Sequence, residues 1–73
     1  MPDMDEERAR TEAVAATLVG LDEASATAAA EAAGCTVRVA RRDGTPFVLT
    51  MDYRPSRINL TIDAGHVTAT DVG

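Results

Sequence analysis

Alanine limits what this chain can fold into. Fourteen of its 73 residues are Ala, and only Phe47 and Tyr53 carry aromatic rings. The apolar content of 45% therefore overstates the core it can build. A chain of this size hides roughly 60% of its unfolded surface, enough for one small and marginal domain. Too few large side chains exist to line an enclosed active-site cavity. The single cysteine, Cys35, excludes an intrachain disulfide and a Cys-based metal site, and reads as a small buried hydrophobe. No metal and no cofactor is expected.

The charge is acidic and uneven. Seven Arg and no Lys face twelve acids, for a net −5. Residues 1–36 hold two Arg and eight acids, which is −6; residues 37–73 hold five Arg and four acids, which is +1. An acidic chain with two rings lacks the basic face and stacking platform that nucleic-acid binding uses. No apolar run is long enough to span a membrane. Without a basic n-region or an apolar h-region there is no secretion signal, so a cytoplasmic protein or a processed secreted form is expected. Ser and Thr are scattered with no His or Lys at motif spacing, and His66 has no ligand or acid clustered near it. An enzyme is not expected.

Residues 1–17 read as an acidic extension with helical propensity, and residues 18–73 as a single domain. Met1–Glu7 is expected to fray. From about Glu6 to Leu18 the residues favour helix, with Ala9, Ala13, Val14 and Leu18 able to share a stripe. Gly20 breaks it. Asp22 is an N-cap signal for the main helix, which runs to about Ala33 and ends on a left-handed Gly34. Its Ala26, Ala29, Ala30 and Ala33 fall on one face. Alternation marks strands at Thr36–Arg42 and Arg57–Asp63, and Asp63-Ala64-Gly65 turns the chain into a short return strand, Val67–Val72. The fold class is α+β: one main helix on a small mixed sheet, with a long exposed loop between two strands.

That loop, Gly44–Ser56, is the anomaly. It holds Phe47, Val48, Leu49, Met51 and Tyr53, most of the largest apolar groups in the chain, between Pro46 and Pro55. A long connection in so small a domain is usually functional, and bulky apolar residues in it either fold back or dock a partner. Phe47 and Tyr53 are candidates to plug the core at the feet of the loop. Arg38, Arg41 and Arg42 read as a solvated strand end, and His66 as a surface turn residue.

The run Val48-Leu49-Thr50-Met51-Asp52-Tyr53-Arg54-Pro55-Ser56-Arg57-Ile58-Asn59-Leu60 resembles the reactive-site loop and following strand of the potato inhibitor I family of serine protease inhibitors. The likeness extends through Leu18-Val19-Gly20, Val37-Arg38-Val39 and Val72-Gly73, and so covers roughly residues 18–73. The resemblance implies a disulfide-free, monomeric, substrate-like inhibitor whose partner is a subtilisin-like or chymotrypsin-like protease. Leu49, Thr50, Met51, Asp52, Tyr53 and Arg54 would contact the protease. Met51 would fill its specificity pocket, and Met51–Asp52 would be the scissile bond.

Arg57 is expected to brace the loop through the Asp52 carboxylate and the Thr50 hydroxyl or carbonyl, with Asn59 on the same strand face. Many plant and leech members carry a second Arg at the place of Asn59, which also meets the C-terminal carboxylate. Asn59 cannot supply that charge, so it is not expected to brace Gly73 in that way. Gly44–Leu49 looks about two residues longer than in the plant proteins, which would loosen that side of the loop. The alternative function is a non-inhibitory interaction domain on the same scaffold.

Overall fold

The structure, a computed structural model, describes residues 4–73. Two helices pack on a four-stranded mixed sheet: α1 (Met4–Ala16), α2 (Glu23–Ala32), β1 (Thr36–Arg42), β2 (Thr45–Pro46), β3 (Arg57–Asp63) and β4 (His66–Val72). The sheet order is β2-β1-β3-β4, with β1 and β3 parallel and both outer pairings antiparallel. No helix among the described residues is long and apolar enough to cross a membrane.

Local chemistry sets the helix ends. Asp22 has extended backbone angles, and its carboxylate accepts from the Ser25 N–H at 3.0 Å and the Ser25 hydroxyl at 2.6 Å. That satisfies a donor which the first turn of α2 cannot pair internally. At the other end Gly34 adopts φ +83°, and the N–H groups of Gly34 and Cys35 reach back to the Glu31 and Ala30 carbonyls. This is the paired closure that a left-handed glycine permits.

The core lies under β3, whose Ile58, Leu60 and Ile62 are fully or almost fully buried. Ala15, Leu18, Ala26, Ala30, Cys35 and Val67 complete it, with Val14, Val37 and Val39 packed at its edge. Cys35 is thus the buried hydrophobe its isolation suggested. Two facing alanines, Ala26 and Ala30, bring α2 close to the sheet, whereas Ala29 and Ala33 of the expected face are exposed. The stripe of α1 also differs from expectation. Thr11 and Ala15 are buried and Val14 is half-buried, while Ala9 and Ala13 face outward. Leu18 enters the core from a turn after the helix, not from its last coil, because the chain tightens at Thr17 and Leu18 through bonds to Val14 and Ala15. Met4–Glu7, expected to fray, are helical; Met1–Asp3 lie outside the described residues.

Of the two leucines in the segment between the helices, Leu18 is fully buried and Leu21 is exposed. Leu18→Ala is expected to cost about 3 kcal/mol by lost burial plus residual cavity. A urea titration would register this as a lower midpoint at unchanged slope.

Parallel pairing explains the loop. A parallel neighbour must be reached by carrying the chain back along the sheet, roughly 20 Å for a strand of this length. A helix usually does this. Here the chain first makes a tight hairpin at Asp43-Gly44, where φ is +50° and +81°, as primed turns require. β2 then pairs back on β1, with Arg42 opposite Thr45 and Arg41 opposite Pro46. The connection outside the strands is therefore Phe47–Ser56, not Gly44–Ser56, because Gly44–Pro46 belong to the hairpin. Ten residues reach at most about 35 Å fully extended, so the segment has limited slack over that return path.

Candidate functional site

The loop projects its side chains in two directions. Val48 and Met51 are fully exposed, and Thr50, Asp52, Tyr53 and Arg54 are exposed to lesser degrees. Leu49 is half-buried. Pro55 sets a turn after Arg54, closed by the Arg57 N–H on the Arg54 carbonyl, and the Ser56 carbonyl is tied to the start of β1 through Thr36. At the other foot the Phe47 N–H donates to the Ala40 carbonyl at 3.0 Å, so the chain is fixed at both feet while Met51 is fully exposed.

Arg57, first residue of β3, lies beneath the loop. Its Nη2 donates to the Asp52 main-chain oxygen at 2.8 Å, its Nη1 reaches the Asp52 carboxylate at 3.5 Å, and its Nε donates to the Gly73 main-chain oxygen at 2.8 Å. Gly73 returns the contact through its N–H to the Arg57 carbonyl. Gly73 is therefore part of the brace after all, held by Arg57 and needing no charge at position 59. Arg54 also holds the Asp52 carboxylate, at 2.9 Å. Exposure ranks the two cations: the Arg57 side chain is 11% exposed and that of Arg54 66%. An ion pair as open as Arg54's is worth little, so Arg57 is the effective support.

Thr50 is not reached by Arg57. Arg38, on β1, donates from Nη1 to the Thr50 hydroxyl at 3.0 Å and from Nε to the Asn59 side-chain oxygen at 2.8 Å. The parallel register sets this up, because Arg38 and Asn59 are direct partners across β1 and β3. Asn59, buried, accepts from Arg38 and so orients the guanidinium that holds Thr50. Arg38 is thus a structural partner and not a solvated strand end. Its signal was in the alternation: opposite Val37 and Val39, it shares the sheet face of Arg57 and Asn59.

The Thr50 hydroxyl accepts from Arg38 and, more than any other influence, lowers the pKa of the Asp52 carboxyl by hydrogen-bonding to it; the Arg54 hydrogen bond adds to this, and the Arg57 charge follows. These partners hold the Asp52 carboxyl well below the ordinary carboxylate range. A depressed carboxylate stabilises the fold above its unfolded value of about 3.9 and loses that contribution only as pH falls through the lower folded value. The brace is therefore expected to persist unchanged from about pH 7 to about pH 4. An NMR titration of the Asp52 carboxyl carbon checks this, and an ordinary midpoint near 3.9 would contradict it.

The two rings are not core plugs. Phe47 and Tyr53 remain more than two-fifths exposed, each beneath an arginine. The Arg42 guanidinium lies 5.7 Å from the centre of the Phe47 ring and bonds both Glu23 carboxylate oxygens at 2.8 Å, which links that foot of the loop to α2. Five of the seven arginines, at positions 8, 38, 42, 54 and 57, touch Phe47, Thr50, Asp52 or Tyr53.

Hollows elsewhere do not compete as sites. One of about 280 Å³ lies between α1 and the end of α2 and touches the loop only at Ser56, and one of about 240 Å³ lies between α1 and β4; neither is lined by Leu49–Arg54, Arg57 or Asn59. Among the described residues no group of three or more His, Cys, Asp or Glu is placed to hold a metal. His66 is exposed but is the first residue of β4, paired with Asp63, and not a turn residue; its Nδ1 lies 3.1 Å from the Ala64 oxygen. No family model, curated protein or solved structure matches the chain.

Proposed function

We propose that this protein is a reversible, substrate-like inhibitor of subtilisin- or chymotrypsin-type serine proteases, acting through Leu49–Arg54, and that it resembles the potato inhibitor I family in doing so. One observation carries the reading: Met51 is fully exposed while the residues on both sides of it, Thr50 and Asp52, are tied from below. A segment so held can pair with a protease as an added edge strand, with little ordering entropy to oppose it. An unbranched apolar side chain filling the specificity pocket contributes roughly 1.5–3 kcal/mol.

Chemistry then favours retention over turnover. The catalytic serine oxygen attacks the Met51 carbonyl carbon, the Met51–Asp52 bond breaks, and the Asp52 nitrogen leaves as an amine after taking a proton. Hydrolysis needs water to replace that amine. Arg57 grips the main-chain oxygen and the carboxylate of the same Asp52, so the amine stays beside the acyl carbon. Its effective molarity can reach about 10⁵ M or more, and re-formation of the peptide bond with release of the serine outruns hydrolysis.

Titrating active subtilisin, and separately chymotrypsin, with the purified protein tests the reading. Stoichiometric loss of activity is expected for at least one. Full activity of both at micromolar protein rejects inhibition and leaves a non-inhibitory interaction domain as the function of the scaffold.

A further inference from the structure

Tyr53 stands two residues beyond Met51, on the side that leaves when the bond is cut. Its ring lies against Gly73, where an added Cβ would sit 3.6 Å from its Cδ2. From above it meets Arg8 of α1: the guanidinium carbon is 5.8 Å from the ring centre, and Nη1 is 3.5 Å from the phenolic oxygen. Arg8 is itself aimed by Glu12, one turn on, through a 2.8 Å bond from Nε. The helix that carries both is fixed to the sheet by Thr11 and Ala15. A continuous path of contacts therefore runs from the core through α1 to the loop, separate from the one through Arg57.

We propose that Arg8 is a positioning residue for the leaving side of the loop: through Tyr53, α1 holds the Asp52–Arg54 segment in place while the Met51–Asp52 bond is open. This inference rests on the inhibitor reading. In the acyl-enzyme state the Asp52 amine must attack the ester carbon, re-forming the peptide bond and returning a proton to the serine oxygen. A segment pinned two residues away samples fewer orientations, so the amine is in line more of the time. The acidic N-terminal helix thereby becomes a working part of the inhibitor and not an appendage to it.

Tyr53 reports on itself, because the chain has one Tyr and no Trp. The experiment compares the wild type with Arg8→Ala and Arg8→Lys. Two quantities are read: the anisotropy decay of Tyr53 fluorescence in the free protein, and the rate at which catalytic subtilisin hydrolyses Met51–Asp52. Arg8→Ala is expected to loosen the ring and to speed hydrolysis about two- to fivefold, the size that one exposed cation–π contact supports. Arg8→Lys, which keeps a cation over the ring, should restore most of both. If Arg8→Ala leaves the anisotropy unchanged, or loosens the ring without faster hydrolysis, the inference is overturned while wild-type inhibition stands. A wild type that does not inhibit overturns the inhibitor reading itself, whatever the anisotropy shows.

Discussion

Replacing Arg57 with Ala is expected, on the proposed inhibitor function, to turn the protein into a substrate, with hydrolysis at Met51–Asp52 about 100-fold faster. Arg57 makes two short hydrogen bonds from a cationic donor, to Asp52 and Gly73, and each such bond contributes about 1.5–3 kcal/mol when sheltered. Losing them frees the Asp52 carbonyl and leaves Gly73 held by its N–H bond to the residue-57 carbonyl alone. Roughly 1.4 kcal/mol corresponds to tenfold, so even a partial loss moves partitioning by two decades. The fold itself should survive, because Arg57 lies on the face opposite the buried Ile58 and Leu60, and its backbone bonds remain. Mass spectrometry of a digest with catalytic subtilisin measures the cut, and circular dichroism confirms the fold. A folded variant that resists cleavage as well as the wild type would remove Arg57 from the mechanism.

Met51→Lys is expected to redirect the protein from chymotrypsin toward trypsin. The Met51 side chain is fully exposed in the free protein, so the change should alter stability by no more than about 0.5 kcal/mol. In the complex the effect is large. An ammonium group without a partner in an apolar pocket loses its hydration, and the apolar contact of about 1.5–3 kcal/mol is lost as well. Chymotrypsin inhibition should weaken by about 100-fold or more. Trypsin supplies a pocket carboxylate that Met51 leaves unpaired, so potency there should rise by a similar factor. Paired titrations of the two enzymes decide it, and an unaltered ratio would mean that Met51 does not enter the pocket.

Elements written in short-range pattern were legible in the sequence. β1 and β3 have the expected bounds because Val37 and Val39, and Ile58, Leu60 and Ile62, alternate without interruption. Gly34 and Asp22 closed α2 as their chemistry requires. Features that depend on which strands meet were not. The grip of Arg38 on Thr50 follows from its parallel partnership with Asn59, and no local pattern specifies a partner strand. The inward face of α1 was misjudged because Ala9, Ala13 and Ala16 make the regular i, i+4, i+7 stripe and yet face outward. The buried face is Thr11 and Ala15, one polar and one small, which leaves almost no periodic apolar signal. The Asp43-Gly44 hairpin was readable, since that dipeptide favours a two-residue turn, but the two-residue strand after it is too short to alternate.

Cutting between Met51 and Asp52 divides the molecule into two interlocked peptides. The larger keeps both helices and β1, together with Thr50 and its clasp, Arg38; the smaller keeps β3 and β4, together with Asp52 and its clasp, Arg57. Each fresh end stays moored by an arginine from its own fragment, and the two fragments are zipped by the parallel ladder and by Ile58, Leu60 and Ile62 seated in the other's core. The nicked form is thus a split protein that complements itself.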